Sequence, residues 1–176
     1  MSDLMKLLEP TIEYEKQLID YRKEFIDSGS SMDGTGSFID YESPSEWLKK
    51  VEAYKNPETV PEGFVPSTQF IFVREEDNKI VGMIQIRHCF NEYLEKYGGH
   101  IGYSVAPSER LKGYGSIMLK RVLPYCRKLG LTKVLITCEK GNIGSRNIIL
   151  KNRGVYESTV YEEDKNIYID RYWINL

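Results

Sequence analysis

Apolar positions recur along this chain in two rhythms. Between Thr11 and Ser28 they fall four, three and four residues apart, at Tyr14, Leu18, Tyr21 and Phe25, which places them on one face of a helix. Gly29 follows as a stop signal. A second helix starts at Ser43. Pro44 takes the tolerated first position, Ser43 and Glu46 stand at capping-box spacing, and Trp47, Leu48, Val51 and Tyr54 form the apolar side. Helical spacing returns over Gly113–Leu129, with Ile117, Met118, Val122, Tyr125 and Leu129 facing inward. Pro124 argues against that helix, since an interior proline costs about 3 kcal/mol or kinks the chain. Asn142–Arg153 reads as the last helix.

The second rhythm is that of strands. Met5–Glu9 is a short candidate, and Gln69–Arg74 and Lys79–Arg87 form an antiparallel hairpin around the polar Glu75–Asn78. His100–Val105 follows Gly98-Gly99, Lys133–Cys138 is short and apolar, and Val155–Glu162 and Asn166–Ile174 alternate like a terminal hairpin. Ser28–Tyr41 is a loop of Gly, Ser and Asp, and Asn56–Ser67 is a loop holding Pro57, Pro61 and Pro66. The order is strand, two helices, three strands, helix, strand, helix, two strands. It predicts an α/β (mixed α+β) fold, with a mostly antiparallel sheet of about 6–7 strands and helices on both faces. Residues 100–138 should be a parallel strand–helix–strand unit with a right-handed crossover, Val105 lying at a splay between strands.

The 176 residues suit a single domain, 1–176. A net charge of -2 and a pI near 5.8 supply no concentrated basic face, so no nucleic acid partner is expected. Cys89, Cys126 and Cys138 are odd in number and lack ligand spacing, which points to reduced thiols and to no metal. Met1–Pro10 has no apolar segment of signal length, and no run is long enough to span a membrane. The expectation is a cytoplasmic protein with no membrane association.

Chemistry concentrates in Gly102–Leu119, GYSVAPSERLKGYGSIML. A strand ends at Val105, a short loop carries Arg110-x-x-Gly113-x-Gly115, and a helix begins. Backbone N–H groups at a helix start lack partners within the helix, and the helix dipole is positive there. Glycines let a phosphate approach the backbone, Arg110 and Lys112 add charge, and Ser116 adds a hydroxyl. The Gly-Lys-Ser/Thr ending of a P-loop is missing, as are the third glycine and the acidic residue of a dinucleotide fingerprint.

Arg-x-x-Gly-x-Gly after a strand ending in Val-x-Pro resembles the acetyl-CoA signature of the GNAT (GCN5-related N-acetyltransferase) superfamily. The likeness is best over residues 69–156. It is closer still to a bacterial group of uncharacterised predicted acetyltransferases, which carries stretches like SMDG (31–34), VPEGFVP (60–66), GMIQIRH (82–88), GGHIGYSV (98–105) and NIGSRNII (142–149). The resemblance implies an acetyl-CoA-dependent N-acetyltransferase. It implies that Tyr103, Ser104 and Val105 pair with the pantetheine as an added strand. It further implies that Arg110, Leu111, Lys112, Gly113, Tyr114, Gly115 and Ser116 hold the pyrophosphate, and that Asn142 and Ser145 touch the pantetheine or the far end of the cofactor. There is one departure: the tyrosine that many members place seven residues after the asparagine is Ile149 here.

The resemblance also implies direct attack of an amine on the thioester, with a backbone N–H near Val105 as oxyanion donor. His100 is the first candidate base, with His88 weaker, because imidazole titrates in the useful range. The glutamate that other members use falls at Gly99, so that carry-over fails. Tyr103 is a candidate acid. Glu24 and Cys138 lie near the site, or are a solvated helix residue and a buried thiol; Asp33 stands in the loop Ser30–Gly36, which is either the acceptor pocket that the family forms there, with Asp33 pairing an amine, or a plain flexible loop. The acceptor is a small-molecule or a protein amine, and a non-catalytic acyl-CoA-binding regulatory module is the alternative. The terminal hairpin, with Tyr168, Tyr172 and Trp173, offers a surface for a homodimer, and a single chain would serve as well.

Overall fold

The computed structural model describes residues 4–176; the first three residues of the single-domain expectation and of the Met1–Pro10 segment lie outside the described residues. Seven strands form one sheet in the order β1-β2-β3-β4-β5-β7-β6: β1 Met5–Leu8, β2 Ser67–Arg74, β3 Lys79–Arg87, β4 Ile101–Val105, β5 Lys133–Glu139, β6 Val155–Glu162 and β7 Ile167–Asn175. Every neighbouring pair is antiparallel except β4 with β5. That parallel pair is the expected strand–helix–strand unit.

Helices α1 (Glu15–Ser28) and α2 (Pro44–Tyr54) cover one face. There Leu18, Tyr21, Phe25 and Trp47 bury against Ile71, Val73, Ile80 and Met83. Helices α3 (Tyr114–Lys128) and α4 (Ile143–Lys151) cover the other. Met118, Leu119, Val122, Cys126 and Ile149 meet Phe72, Ile84, Ile86, Val134 and Ile136. The alternation of side chains along each strand divides the apolar residues between two cores.

Two details differ from the sequence reading. The Ser43 side chain makes no cap bond; its hydroxyl meets that of Ser45 at 2.7 Å instead, so the capping box does not form. Helix α3 runs through Pro124 without ending. Pro124 and Lys120 are both exposed, so the turn that loses an N–H partner lies on the solvent side of α3, where the penalty of an interior proline is softened.

Candidate active site

The sheet is nearly divided at β4. On one side β4 pairs with β3 along its whole length, from Ile86↔Ile101 to Gly82↔Val105. On the other it meets β5 only at Ile101↔Ile136. One residue earlier the His100 N–H donates to the Leu135 carbonyl at 2.8 Å, and the Leu135 N–H donates to His100 Nδ1 at 2.9 Å. Beyond Ile101 the strands part. Arg87 N–H donates to His100 O and Ala106 N–H donates to Val81 O, so the antiparallel alternation assigns residues 102 and 104 to β3. Tyr103 and Val105 therefore turn their N–H and C=O groups into the gap.

The gap opens into a cleft of about 980 Å³ that runs from the start of α3, past Tyr103, Cys138 and Ser145, to Arg87, Tyr93 and Glu162. At the α3 end the chain makes a 3₁₀ turn over Pro107–Glu109, and Leu111 (φ 63°) and Gly113 (φ 85°) adopt left-handed conformations before the helix begins. Successive N–H groups in such a turn, followed by the open N-terminus of a helix, form an anion-binding concavity. A Cβ at Gly113 would meet nothing within 4 Å, so this glycine serves the backbone angle and leaves open space. Gly115 has a different reason. A Cβ there would come within 2.5 Å of Ile148 Cδ1, so it lets α3 pack on α4.

The two basic residues of the loop differ in state. The Arg110 guanidinium donates to Val105 O and Ser30 Oγ, both at 3.3 Å, and has no carboxylate partner among the described residues. Lys112 is bonded to Glu109 at 2.9 Å and does not line the cleft. Burial alone would raise the Glu109 carboxyl, but hydrogen bonds from Arg74, Lys112 and Lys79 override it and hold it at about 2. Ser116 Oγ accepts from Asn152 Nδ2 at 3.2 Å, and Asn142 caps α4 by accepting from the Ser145 N–H at 3.1 Å.

At the middle of the cleft the Tyr103 phenol shares a hydrogen bond with Ser145 Oγ at 2.7 Å. Burial pushes its pKa up and the Ser145 bond opposes that only partly, so it stays protonated. Burial, with Asp170 nearby, pushes the Cys138 thiol up to about 11. Ile149 is wholly buried in the core, which removes its position from the cleft altogether.

Of the residues singled out in the sequence, the cleft brings together Tyr103, Ser104, Val105, Arg110, Leu111, Gly113, Tyr114, Gly115, Ser116, Asn142 and Ser145, with Asp33 and Cys138. His100 is placed elsewhere. It is 5% exposed, its ring lies 4.0 Å from that of Phe90, and its Nδ1 is engaged by the backbone. Burial and the charge of Arg87 lower it to about 4. His88 bonds Thr68 Oγ1 at 2.8 Å, away from the cleft, and Glu24 pairs with Lys79 at 2.9 Å. The sequence reading missed Arg87, Tyr93, Asn152 and Glu162. Arg87, the last residue of a strand, and Glu162, part of a run of charges, carried no local signal that distinguished them from solvated side chains.

The model of the acetyltransferase (GNAT) family matches residues 36–155, and the chain belongs to that family. It is accordingly an acyltransferase of the N-acetyltransferase class. Solved structures with the same fold include the ribosomal-protein-S5-alanine acetyltransferase of Vibrio fischeri, at 15% identity and TM-score 0.73, covering 98% of this chain and 93% of that one. Another is RimL, a ribosomal L7/L12 alpha-N-protein acetyltransferase in complex with coenzyme A, at 16% identity and TM-score 0.70 over 98% of this chain and 94% of that one. A third is the microcin C7 self-immunity acetyltransferase MccE with acetyl-CoA and AMP, at 17% identity and TM-score 0.70 over 99% and 93%. A search of the curated proteins finds no match. Among the described residues no helix is long and apolar enough to cross a membrane.

Proposed function

We propose that the protein transfers an acetyl group from acetyl-CoA to a primary amine. The observation that carries this reading is the unpaired edge of β4 opening directly onto the N-terminus of α3. A pantetheine amide chain has the donors and acceptors that the N–H and C=O of Tyr103 and the N–H of Val105 require, the Val105 carbonyl already accepting from Arg110. The pyrophosphate finds free N–H groups at Leu111–Ser116 and the uncompensated charge of Arg110. Solved neighbours bound to coenzyme A or acetyl-CoA support the same assignment. When bound, the cofactor supplies an acetyl group activated as a thioester.

The residues around it do the rest. Gly113 keeps the loop open for the phosphates, and Asn142 and Ser145 fix the start of α4 beside the arm. Tyr103 holds a proton on its phenol oxygen at any physiological pH, so it can supply that proton to the departing sulfur. It takes the part that Ile149 cannot. His100 is not assigned the base, because the nitrogen it would use already accepts a backbone hydrogen bond. Of the carboxylates on the cleft wall, Glu109 is held by Arg74, Lys79 and Lys112, and Asp33, Glu139 and Glu162 are left as candidates to meet an ammonium.

The test is release of free thiol from acetyl-CoA in the presence of an amine panel. Turnover that depends on the amine supports transfer. Tight acetyl-CoA binding with no turnover on any amine would point to a regulatory acyl-CoA-binding module instead. For the cofactor site, Gly113→Asp should abolish the rise in melting temperature that acetyl-CoA gives, while Gly113→Asn, of equal bulk and tolerant of left-handed angles, keeps part of it. Equal affinities in the two variants would reject the phosphate assignment.

A further inference from the structure

The end of the cleft away from α3 is lined by residues of opposite charge, Arg87 and Glu162. Arg87 stands at the end of β3. Its Nη1 donates to Gly98 O at 3.1 Å and to Gly99 O at 3.4 Å. Among the described residues it has no carboxylate within ion-pair distance, and neither Nε nor Nη2 has a partner. Burial works against its charge, with Asp33 and Tyr93 near enough to favour it but not to bond it. Its Nη2 lies over Gly102, 3.1 Å from where a Cβ would stand, so the guanidinium sits one residue before Tyr103. Gly34 closes on the same glycine: a Cβ on Gly34 would come within 2.2 Å of Gly102 O.

Glu162 is 2% exposed. Its Oε1 accepts from the Tyr93 hydroxyl at 2.9 Å and from Lys165 at 3.2 Å. Its Oε2 is buried and has no partner. A buried carboxylate oxygen without a donor is costly to keep, and so is a guanidinium edge without an acceptor. The planar pair Nε–H and Nη2–H is the edge of arginine that matches a carboxylate with two parallel hydrogen bonds.

We propose that the acceptor is a dipolar molecule, an amine that also bears a carboxylate, with the carboxylate received by Arg87 and the ammonium facing Glu162. This rests on the N-acetyltransferase reading and narrows its substrate class. The unpartnered Nε and Nη2 of Arg87 gain an acceptor when such a molecule binds, and Glu162 supplies negative charge at the same end of the cleft. The position of Arg87 beside Gly102 puts the amine within reach of the gap at Tyr103. A polyamine or a simple alkylamine would leave Arg87 uncompensated. The wall of Tyr93, Leu94 and Tyr97 gives apolar surface for a side chain.

The experiment compares the L-amino acids, their carboxamides and their decarboxylated amines, at fixed saturating acetyl-CoA. It reads both kcat/KM for thiol release and the melting temperature of the protein saturated with coenzyme A. The carboxylates should be preferred over matched carboxamides by about 10- to 100-fold. Arg87→Met should bring the carboxylate-to-carboxamide ratio of kcat/KM down to about 1. Glu162→Gln should raise KM for every amine. The wild-type comparison needs no variant, so a variant that fails to fold does not shield the inference. Coenzyme A binding with no carboxylate-bearing amine turned over or raising the melting temperature overturns it, as does equal use of all three classes. Failure to bind coenzyme A at all would instead overturn the acetyltransferase reading on which it rests.

Discussion

His100 carries its ring between two strands, where Nδ1 accepts a hydrogen bond from a main-chain N–H and cannot also take a proton. Folding depresses this imidazole from 6.5 to about 4, through burial first and Arg87 second. The unfolded chain therefore binds the proton more tightly, and stability falls as pH drops through that window. At about 1.4 kcal/mol per pH unit the full effect is about 3 kcal/mol. Urea unfolding from pH 7 to 4 should show this slope in the wild type and a flatter one in His100→Gln. Any acidic limb in the pH profile of turnover should survive in the same variant, because His100 is not the base. Tyr103→Phe should lower kcat by about 10²-fold with little change in acetyl-CoA affinity, since it removes the one protonated phenol at the middle of the cleft; an unchanged kcat would move the acid elsewhere. The sequence marked the loop at the start of α3 as a candidate because its geometry follows from local order: strand, glycine, helix start. It could not show what His100 touches, since Leu135 lies 35 positions away. Arg87 and Glu162 escaped for the same reason.

Elements were legible where the apolar period was long and undisturbed, as in α1, β2, β3 and the terminal hairpin. They were less so where a local rule met a tertiary circumstance. Pro124 stays inside α3 because it lies on the exposed side of the helix, and Ser43 starts α2 without capping it. The contact of α3 with α4 is a further case. Asn152 Nδ2 donates to Ser116 O at 3.1 Å and to Ile148 O at 2.9 Å, tying the helices where Gly115 meets Ile148. Helix propensity alone would favour Gly115→Ala by about 1 kcal/mol, whereas overpacking opposes it by about 1–3 kcal/mol. Adding Ile148→Val removes the methyl that obstructs the new Cβ. The double variant should be more stable than the sum of the single changes, as measured by a double-mutant cycle in denaturant. Additive effects would mean that the helices simply move apart.

Across the whole molecule, the order of elements gave the mixed sheet and its one parallel pair. The length of that pairing was not visible, because a five-residue strand that pairs fully and one that pairs at a single position have the same apolar pattern. The seven strands therefore consist of a group β1–β4 and a group β5–β7–β6, joined through the backbone only at His100–Leu135 and Ile101↔Ile136. The backbone ladder is thus two plates sharing a short seam, while the side-chain core under α3 and α4 spans both. Amide hydrogen exchange should report different opening free energies for the interior of β2–β3 and for β5, with β5 the less protected. Saturating acetyl-CoA should bring the two towards a common value, because a ligand lying along β4 bridges both plates. On that account the cofactor is a part of the sheet that comes and goes. Its departure would leave the two strand groups held together by that short seam and by the side-chain core under α3 and α4.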